Sequence, residues 1–171
     1  YPVGGWVDIA FARRTLDIRD GIAGLGNTYG RLSGAVDGIG GAGFRYDLDA
    51  DVALGDLGEM IRDLRLPLRY AAGSFAARVN VSGGTGPPEI AATFDAPEGS
   101  YHGLAFRDTG GQFSMAPAAA VLRVDDAHVT VGTTRADGRA TVGGPSGLSV
   151  GISSPAVNLA DFNDYFDESG T

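Results

Sequence analysis

The feature that most constrains this chain is the period of its apolar residues, which alternate with polar ones along most of its length. Between Phe44 and Leu54, apolar side chains occupy every second position and aspartates fill three of the positions between them. Such alternation is typical of a strand with one buried and one solvated face, whereas an amphipathic helix needs a period near 3.6. The sequence therefore predicts an all-β protein.

Clusters of glycine, proline and aspartate separate the candidate strands at intervals of about 8–12 residues, the spacing of an antiparallel meander, sandwich or barrel. The predicted strands are Trp6–Phe11, Thr15–Arg19, Tyr29–Asp37, Phe44–Leu54, Ser74–Ser82, Glu89–Ala96, Leu104–Asp108, Gly111–Met115, Ala120–Asp125, His128–Gly132, Arg139–Gly143 and Leu148–Ser153. The turn signals include Asp20-Gly21, Pro97-Glu98-Gly99, Gly110-Gly111 and Asp137-Gly138.

Two short segments follow a helical period instead. Residues 56–64 carry one apolar stripe of Leu57, Met60, Ile61 and Leu64, and residues 158–166 carry a second behind the possible N-cap Asn158. We expect both to be short helices that cap the end of a sheet.

The absence of any long helical pattern limits how the sheet can cover its apolar side. An amphipathic sheet buries that side against another layer, and here only the sheet itself is available. Two architectures satisfy this condition: a closed sandwich, or a curled, mainly antiparallel and partly open sheet whose apolar lumen holds a guest. In either case we expect a single domain over residues 1–171.

Composition excludes several classes of function. The net charge of −8 and the pI near 4.5 disfavour binding to the phosphate backbone of nucleic acids. Since the chain has no cysteine, it has neither disulfides nor thiolate chemistry. No apolar run approaches the ~20 residues of a membrane-spanning helix.

No motif predicts catalysis, a metal site or a cofactor. The aspartates after Phe44 do not form an EF-hand loop, because Val52 stands at the glycine position and Gly58 at the position of the bidentate glutamate. His102 and His128 lack catalytic or metal-ligand companions, and no Gly-x-Ser-x-Gly elbow occurs. We therefore predict a protein that is not an enzyme. A carbohydrate-active enzyme would have only the abundant aspartates in its support.

A faint internal repeat is present. Thr15–Asp20, followed by Gly26, is similar to Val121–Asp126, followed by Gly132. Strands and turns of like composition also arise by chance, so either a true repeat or a coincidence fits the pattern.

Several phrases together resemble the AsmA-like family of envelope proteins. The resemblance runs from Leu57 to Phe166, roughly two thirds of the chain, and rests on rhythm more than on invariant residues. The phrases are Leu66–Leu68, Gly73–Gly83, Pro88–Tyr101, Gly103–Phe113, Leu122–Ala127 and Ala156–Phe162.

The resemblance implies the curled sheet, in the form of a half-barrel ("β-taco") groove: a long gutter, polar outside and hydrophobic inside, in the periplasm of a diderm bacterium. It further implies a fragment of a longer protein anchored in the inner membrane, a cargo of phospholipid acyl chains, and a barrel partner in the outer membrane that assembles proteins there.

On this hypothesis the apolar row of each strand lines the groove. The candidate lipid-binding residues are Phe44, Tyr46, Leu48, Val52, Leu54, Phe75, Val79, Val81, Ile90, Phe94, Leu122, Val124, Val129 and Val131. The alternative is a structural or adhesive β-sandwich, possibly calcium-binding, that uses its acidic face for partners.

Overall fold

The computed structural model describes residues 3–26, 28–41, 43–63, 70–143 and 147–163. They form one antiparallel sheet of ten strands, in which every strand lies beside its neighbours in the sequence. The strands are β1 (Val3–Ala12), β2 (Thr15–Leu25), β3 (Thr28–Asp37), β4 (Arg45–Asp56), β5 (Ala71–Gly83), β6 (Glu89–Tyr101), β7 (Leu104–Ala116), β8 (Val121–Val131), β9 (Thr134–Gly143) and β10 (Leu148–Ser153).

This topology confirms the all-β prediction and gives one open layer, with β1 at one edge and β10 at the other. Within the described residues there is no second sheet stacked on the first. The closed sandwich that the sequence left open as an alternative is therefore not the architecture of this part of the chain.

Several predicted turns are irregularities inside continuous strands. The register shifts within β2 at Asp20-Gly21, within β6 at Pro97, and within β7 just before Gly110. Residues such as glycine and aspartate tolerate the twisted backbone of a β-bulge as well as that of a turn, and here antiparallel pairing resumes on both sides. The predicted strands Leu104–Asp108 and Gly111–Met115 are consequently one strand, β7.

The Asp137-Gly138 signal is likewise not a turn. Both residues lie inside β9, where Gly138 pairs with Ala127 just after the bulge that follows Val124 in β8. Glycine suits a turn and also a position opposite a bulge, because in both places another part of the backbone comes close to it.

Helix α1 (Leu57–Asp63) follows β4 directly, within the predicted range 56–64. The Asp56 carboxylate accepts a hydrogen bond of 2.8 Å from the Glu59 amide, which satisfies one free donor of the first turn. The Met60 and Ile61 side chains and all of Leu64 lie outside the described part of the structure, so the predicted stripe is described only at Leu57.

The second predicted helix is a 3₁₀ turn, Leu159–Phe162, over its described part. Asn158 caps it as expected, since its side chain accepts from the Ala160 amide at 3.2 Å. The remainder of the predicted range, residues 164–166, lies outside the described residues.

Asp161 fastens this 3₁₀ turn to the hairpin between β8 and β9. Its Oδ2 accepts four hydrogen bonds of 2.8–2.9 Å, from the amides and hydroxyls of Thr133 and Thr134. Desolvation is the largest single influence and raises the pKa of this carboxyl, but the four hydrogen bonds together outweigh it. The pKa of Asp161 is therefore lowered from its ordinary value, because the ionised form is the better acceptor.

The faint repeat has a structural counterpart. Strands β2 and β3 have the same lengths as β8 and β9 and lie 106 residues earlier in the chain. The offset is the same at the first residues, Thr15 and Val121 (121 − 15 = 106), and at the last, Asp37 and Gly143 (143 − 37 = 106). Both hairpins turn at a glycine of positive φ, 60° at Gly26 and 55° at Gly132. The first residues of β3 and β9 are Thr28 and Thr134. The hydroxyl of each accepts a hydrogen bond from the backbone amide of a later residue, Asp56 and Asn158 respectively.

Candidate functional site: an uncovered apolar sheet face

The two faces of the sheet are defined by β4. Its apolar face carries Leu48, Ala50 and Val52, and its polar face carries Asp47 and Asp49. All five positions pair in regular register with β5, so the alternation of β4 passes to its neighbour. Following the pairings outward in both directions assigns the residues of all ten strands to one face or the other.

Two unbroken apolar rows cross the entire sheet at right angles to the strands. The first consists of Ile9, Ile18, Gly34, Leu48, Val81, Ile90, Met115, Leu122, Val142 and Leu148. The second consists of Val7, Gly21, Leu32, Ala50, Val79, Ala92, Phe113, Val124, Ala140 and Val150. At the usual strand spacing of ~4.8 Å, each row is about 43 Å long.

Beyond the end of the sheet where Phe75, Ala96 and Val131 are buried, this face has no protein layer over it in the described structure. Most of its central side chains are half-buried by their neighbours in the sheet, while those near the edges are open, with Ile9 52% and Leu148 68% exposed. Among the described residues, the buried hydrophobic ones are Phe75, Ala96 and Val131. A continuous exposed apolar surface of this kind marks an interaction site in a soluble domain.

Most of the predicted lining residues share the apolar face. They are Tyr46, Leu48, Val52, Val79, Val81, Ile90, Phe94, Leu122, Val124 and Val129. Phe44 lies just before β4, where its ring stacks on Tyr46 with centroids 6.0 Å apart.

Leu54 lies on the opposite face, contrary to the expectation from alternation. Between Val52 and Gly55 the register of β4 shifts by one residue against β5, and Leu54 pairs with Tyr29 of β3. A bulge adds one residue to the strand, so every position beyond it changes sides. Leu54 is accordingly 69% exposed beside the polar residues.

Phe75 and Val131 are on the apolar face but belong to a small packed core. Their exposures are 7% and 9%, so little of either side chain is available to a ligand. The Phe75 ring covers Gly55, where an added Cβ would overlap the ring. One end of the sheet is thus closed, and the open stretch begins at Val52.

Several members of the two rows are absent from the predicted lining residues. Phe113 and Met115 of β7 alternate within a predicted strand and could have been included on that signal alone. Ile9, Ile18 and Leu32 likewise occupy alternate positions of predicted strands. Only the register shows that they continue the same rows.

On the polar face, the aspartates of β4 are held by neighbouring donors. Asn80 donates from Nδ2 to Asp47 at 2.6 Å and to Asp49 at 3.0 Å, and Arg78 pairs with Asp51 at 3.5 Å. Among the described residues, no group of three or more His, Cys, Asp or Glu side chains could hold a metal ion.

A depression of about 890 Å³ lies on the polar side. It crosses β2 to β8, and the side chains of Asp49, Asn80, Thr93 and Gln112 point toward it by alternation. The apolar face is instead a broad, open surface. These two surfaces are separate and need separate explanations.

The two histidines have different surroundings. His102 packs between the rings of Tyr70 and Tyr101, with centroids 4.4 and 4.7 Å away. His128 Nε2 lies 3.7 Å from Asp108, which also pairs with Arg135 at 3.1 Å. Neither environment combines a nucleophile with a base.

No family model, curated protein or solved structure matches this chain. Its function therefore has to be inferred from its surfaces. In the part of the chain that the structure describes, no helix has the length and apolar character to span a membrane.

Proposed function

We propose that the apolar face binds lipid acyl chains, and that this chain is a segment of a half-barrel groove that shields and conducts phospholipid between inner and outer membranes. The observation that carries the proposal is the pair of apolar rows that cross all ten strands without a polar residue. Such rows offer a continuous apolar path across the sheet.

The energetics favour acyl chains as the occupant. Each methylene removed from water contributes ~0.8 kcal/mol, so about ten methylenes laid along a row would contribute roughly 8 kcal/mol before ordering costs. A row of about 43 Å is longer than one extended acyl chain. The small side chains Ala50, Ala92 and Ala140 in the second row leave space beside larger neighbours. No polar anchor is required for such binding.

The resemblance to the AsmA-like family supports the same role and adds its setting. Within that family the quoted phrases are most similar to TamB, the inner-membrane subunit of the translocation and assembly module. On that basis we place the parent protein in the periplasm, anchored in the inner membrane. An outer-membrane barrel is its proposed partner in outer-membrane biogenesis and protein assembly.

Adjacent residues on opposite faces give a direct test. We expect a photo-crosslinking residue at Val79 or Val124 to capture phospholipid in cells. The same residue at Asn80 or Asp125, one position away on the polar face, should capture little, because the side chain points to the other side of the sheet.

Native mass spectrometry of the purified chain, followed by lipid extraction, checks the result independently. Lipid released from the chain and captured only at Val79 and Val124 would support the proposal. Absence of lipid in both experiments, or equal capture at all four positions, would overturn it.

A further inference from the structure

The depression on the polar face has its own regular construction. One polar row runs through it from β3 to β8 and consists of Arg31, Asp51, Arg78, Thr93, Gln112 and Asp125. A second row beside it includes Ser33, Asp49, Asn80 and Ser114. Six strands at ~4.8 Å spacing make this path about 24 Å long.

The charge of the lining differs from that of the whole chain. Although the chain carries −8, the depression is lined by three arginines and four aspartates, namely Arg19, Arg31, Arg78, Asp20, Asp49, Asp51 and Asp125. Opposite charges alternate over the first three positions of the first row, Arg31, Asp51 and Arg78. A polyanion or a polycation would therefore meet side chains of its own charge along this path, so a neutral ligand fits best.

Many hydrogen-bonding groups of the lining are available to a ligand. The side chains of Arg31, Thr93 and Ser114 make no hydrogen bond or ion pair to another described residue. The side-chain nitrogen of Asn80 donates hydrogen bonds to Asp47 and Asp49. These two bonds fix the direction of the Asn80 carbonyl oxygen. Because these groups stand on paired strands, the spacing of their backbone positions is set before any ligand arrives.

The chemistry of the face separates a glycan from an extended peptide. In a central strand such as β5, backbone N–H and C=O groups are already used in the ladders to both neighbours, so a peptide lying across it could not pair its own backbone. A sugar chain instead presents hydroxyls, which paired planar side chains such as Asp, Asn, Gln and Arg can bind by two hydrogen bonds.

Aromatic residues stand beyond the β3 end of the first row. The pairings continue from Arg31 to Ile22 and then to Trp6, which is 54% exposed. Tyr29, 58% exposed, lies on the same face in β3. An aromatic ring of this kind offers a flat apolar surface to the C–H groups of a pyranose ring.

We propose that this depression binds a neutral, linear glycan across strands β3 to β8, with Trp6 stacking on a sugar at one end. The site uses the face opposite the acyl-chain surface and is independent of it. No bond is made or broken, since the lining serves binding alone.

Isothermal titration of the full chain with neutral linear hexasaccharides, including β-1,4-glucan, α-1,4-glucan and chitin hexamers, tests the site. We expect at least one to bind, and Asn80→Ala, Gln112→Ala and Trp6→Ala each to weaken that binding by about tenfold, the loss of roughly one good contact. All three side chains are on the surface, and a thermal melt checks that each variant is folded.

Ser149→Ala is the matched control. Ser149 continues the second polar row two strands beyond the depression, through Arg123 and Thr141, and its removal should leave the affinity unchanged. Binding to none of the hexasaccharides, an equal loss in Ser149→Ala, or preference for a polyphosphate or an extended peptide of the same length would each overturn the proposal.

Discussion

The two faces of this sheet are built from the same strands but hold their side chains in different ways. On the polar face, fixed pairs such as Asn80 with Asp49, and Arg78 with Asp51, orient individual groups. On the apolar face, the described side chains of the two rows have no polar groups with which to orient one another. The comparison shows that a single-layer sheet can stabilise specific polar geometry by itself, whereas its apolar side requires an external cover.

Within the apolar face, the closed end of the sheet also differs from the open stretch. There Phe75, Ala96 and Val131 are covered by protein. In the open stretch, residues of the same type, such as Phe113 and Val124, remain half-buried. Burial therefore depends on position along the strands, not only on which face a residue occupies.

The largest expected effect comes from a carboxylate at the centre of the apolar face. Val79→Glu should reduce co-purified lipid by tenfold or more, because an acyl layer cannot solvate the charge. The neighbours of Val79 in its row are Ala50 and Ala92, so the longer side chain has room. Lipid per protein is measured by extraction and mass spectrometry.

Thr93→Glu is the control for that change, since it adds the same group on the polar face, one residue from Ala92 of the same apolar row and beside Arg78. It should leave bound lipid close to the level of the unmodified protein. A similar loss in both variants would mean that net charge, rather than the face, governs binding.

A smaller effect separates the closed end from the open stretch. Phe75→Ala should lower the free energy of unfolding by about 3–5 kcal/mol, as expected for a large aromatic removed from a packed site. Phe113→Ala in lipid-free protein should cost about 1–2 kcal/mol, because part of its ring is already in water. Denaturant unfolding of both variants measures the difference, and equal values would contradict the assignment of an open stretch.

Alternation was enough to predict the all-β class and the face of most candidate lining residues. It could not distinguish turns from bulges, because Asp20-Gly21 and Gly110-Gly111 suit both, and the choice depends on whether the flanking segments find the same partner strand. This is also why Leu54 was placed on the wrong face. The single open layer follows from long-range pairing, on which local sequence patterns carry no information.

The polar depression was beyond sequence reasoning for a related reason. Asp51, Arg78 and Gln112 are far apart in the chain, and only the register places them in one row. Without their partners, the aspartates of β4 resemble a row of possible metal ligands. Their arginine and asparagine partners, supplied by β5, indicate a different chemistry.

The smallest expected effect concerns Asp161, a carboxylate that serves the fold and not either face. Its lowered pKa means that its stabilising contribution is complete above the ordinary value of 3.8 and is lost as the pH falls through the lower folded value. Amide hydrogen exchange in residues 154–163 should therefore be uniformly slow from about pH 5 to 8, after correction for intrinsic rates, and should accelerate locally below about pH 4.

In Asp161→Asn the same amides should exchange faster at neutral pH and show no such acid transition, because the neutral amide is a weaker acceptor for the four donors of Thr133 and Thr134. An acid transition that persists in the variant would assign the effect to another group, while the rows of both faces, whose strands do not depend on this contact, should keep their exchange rates in either case.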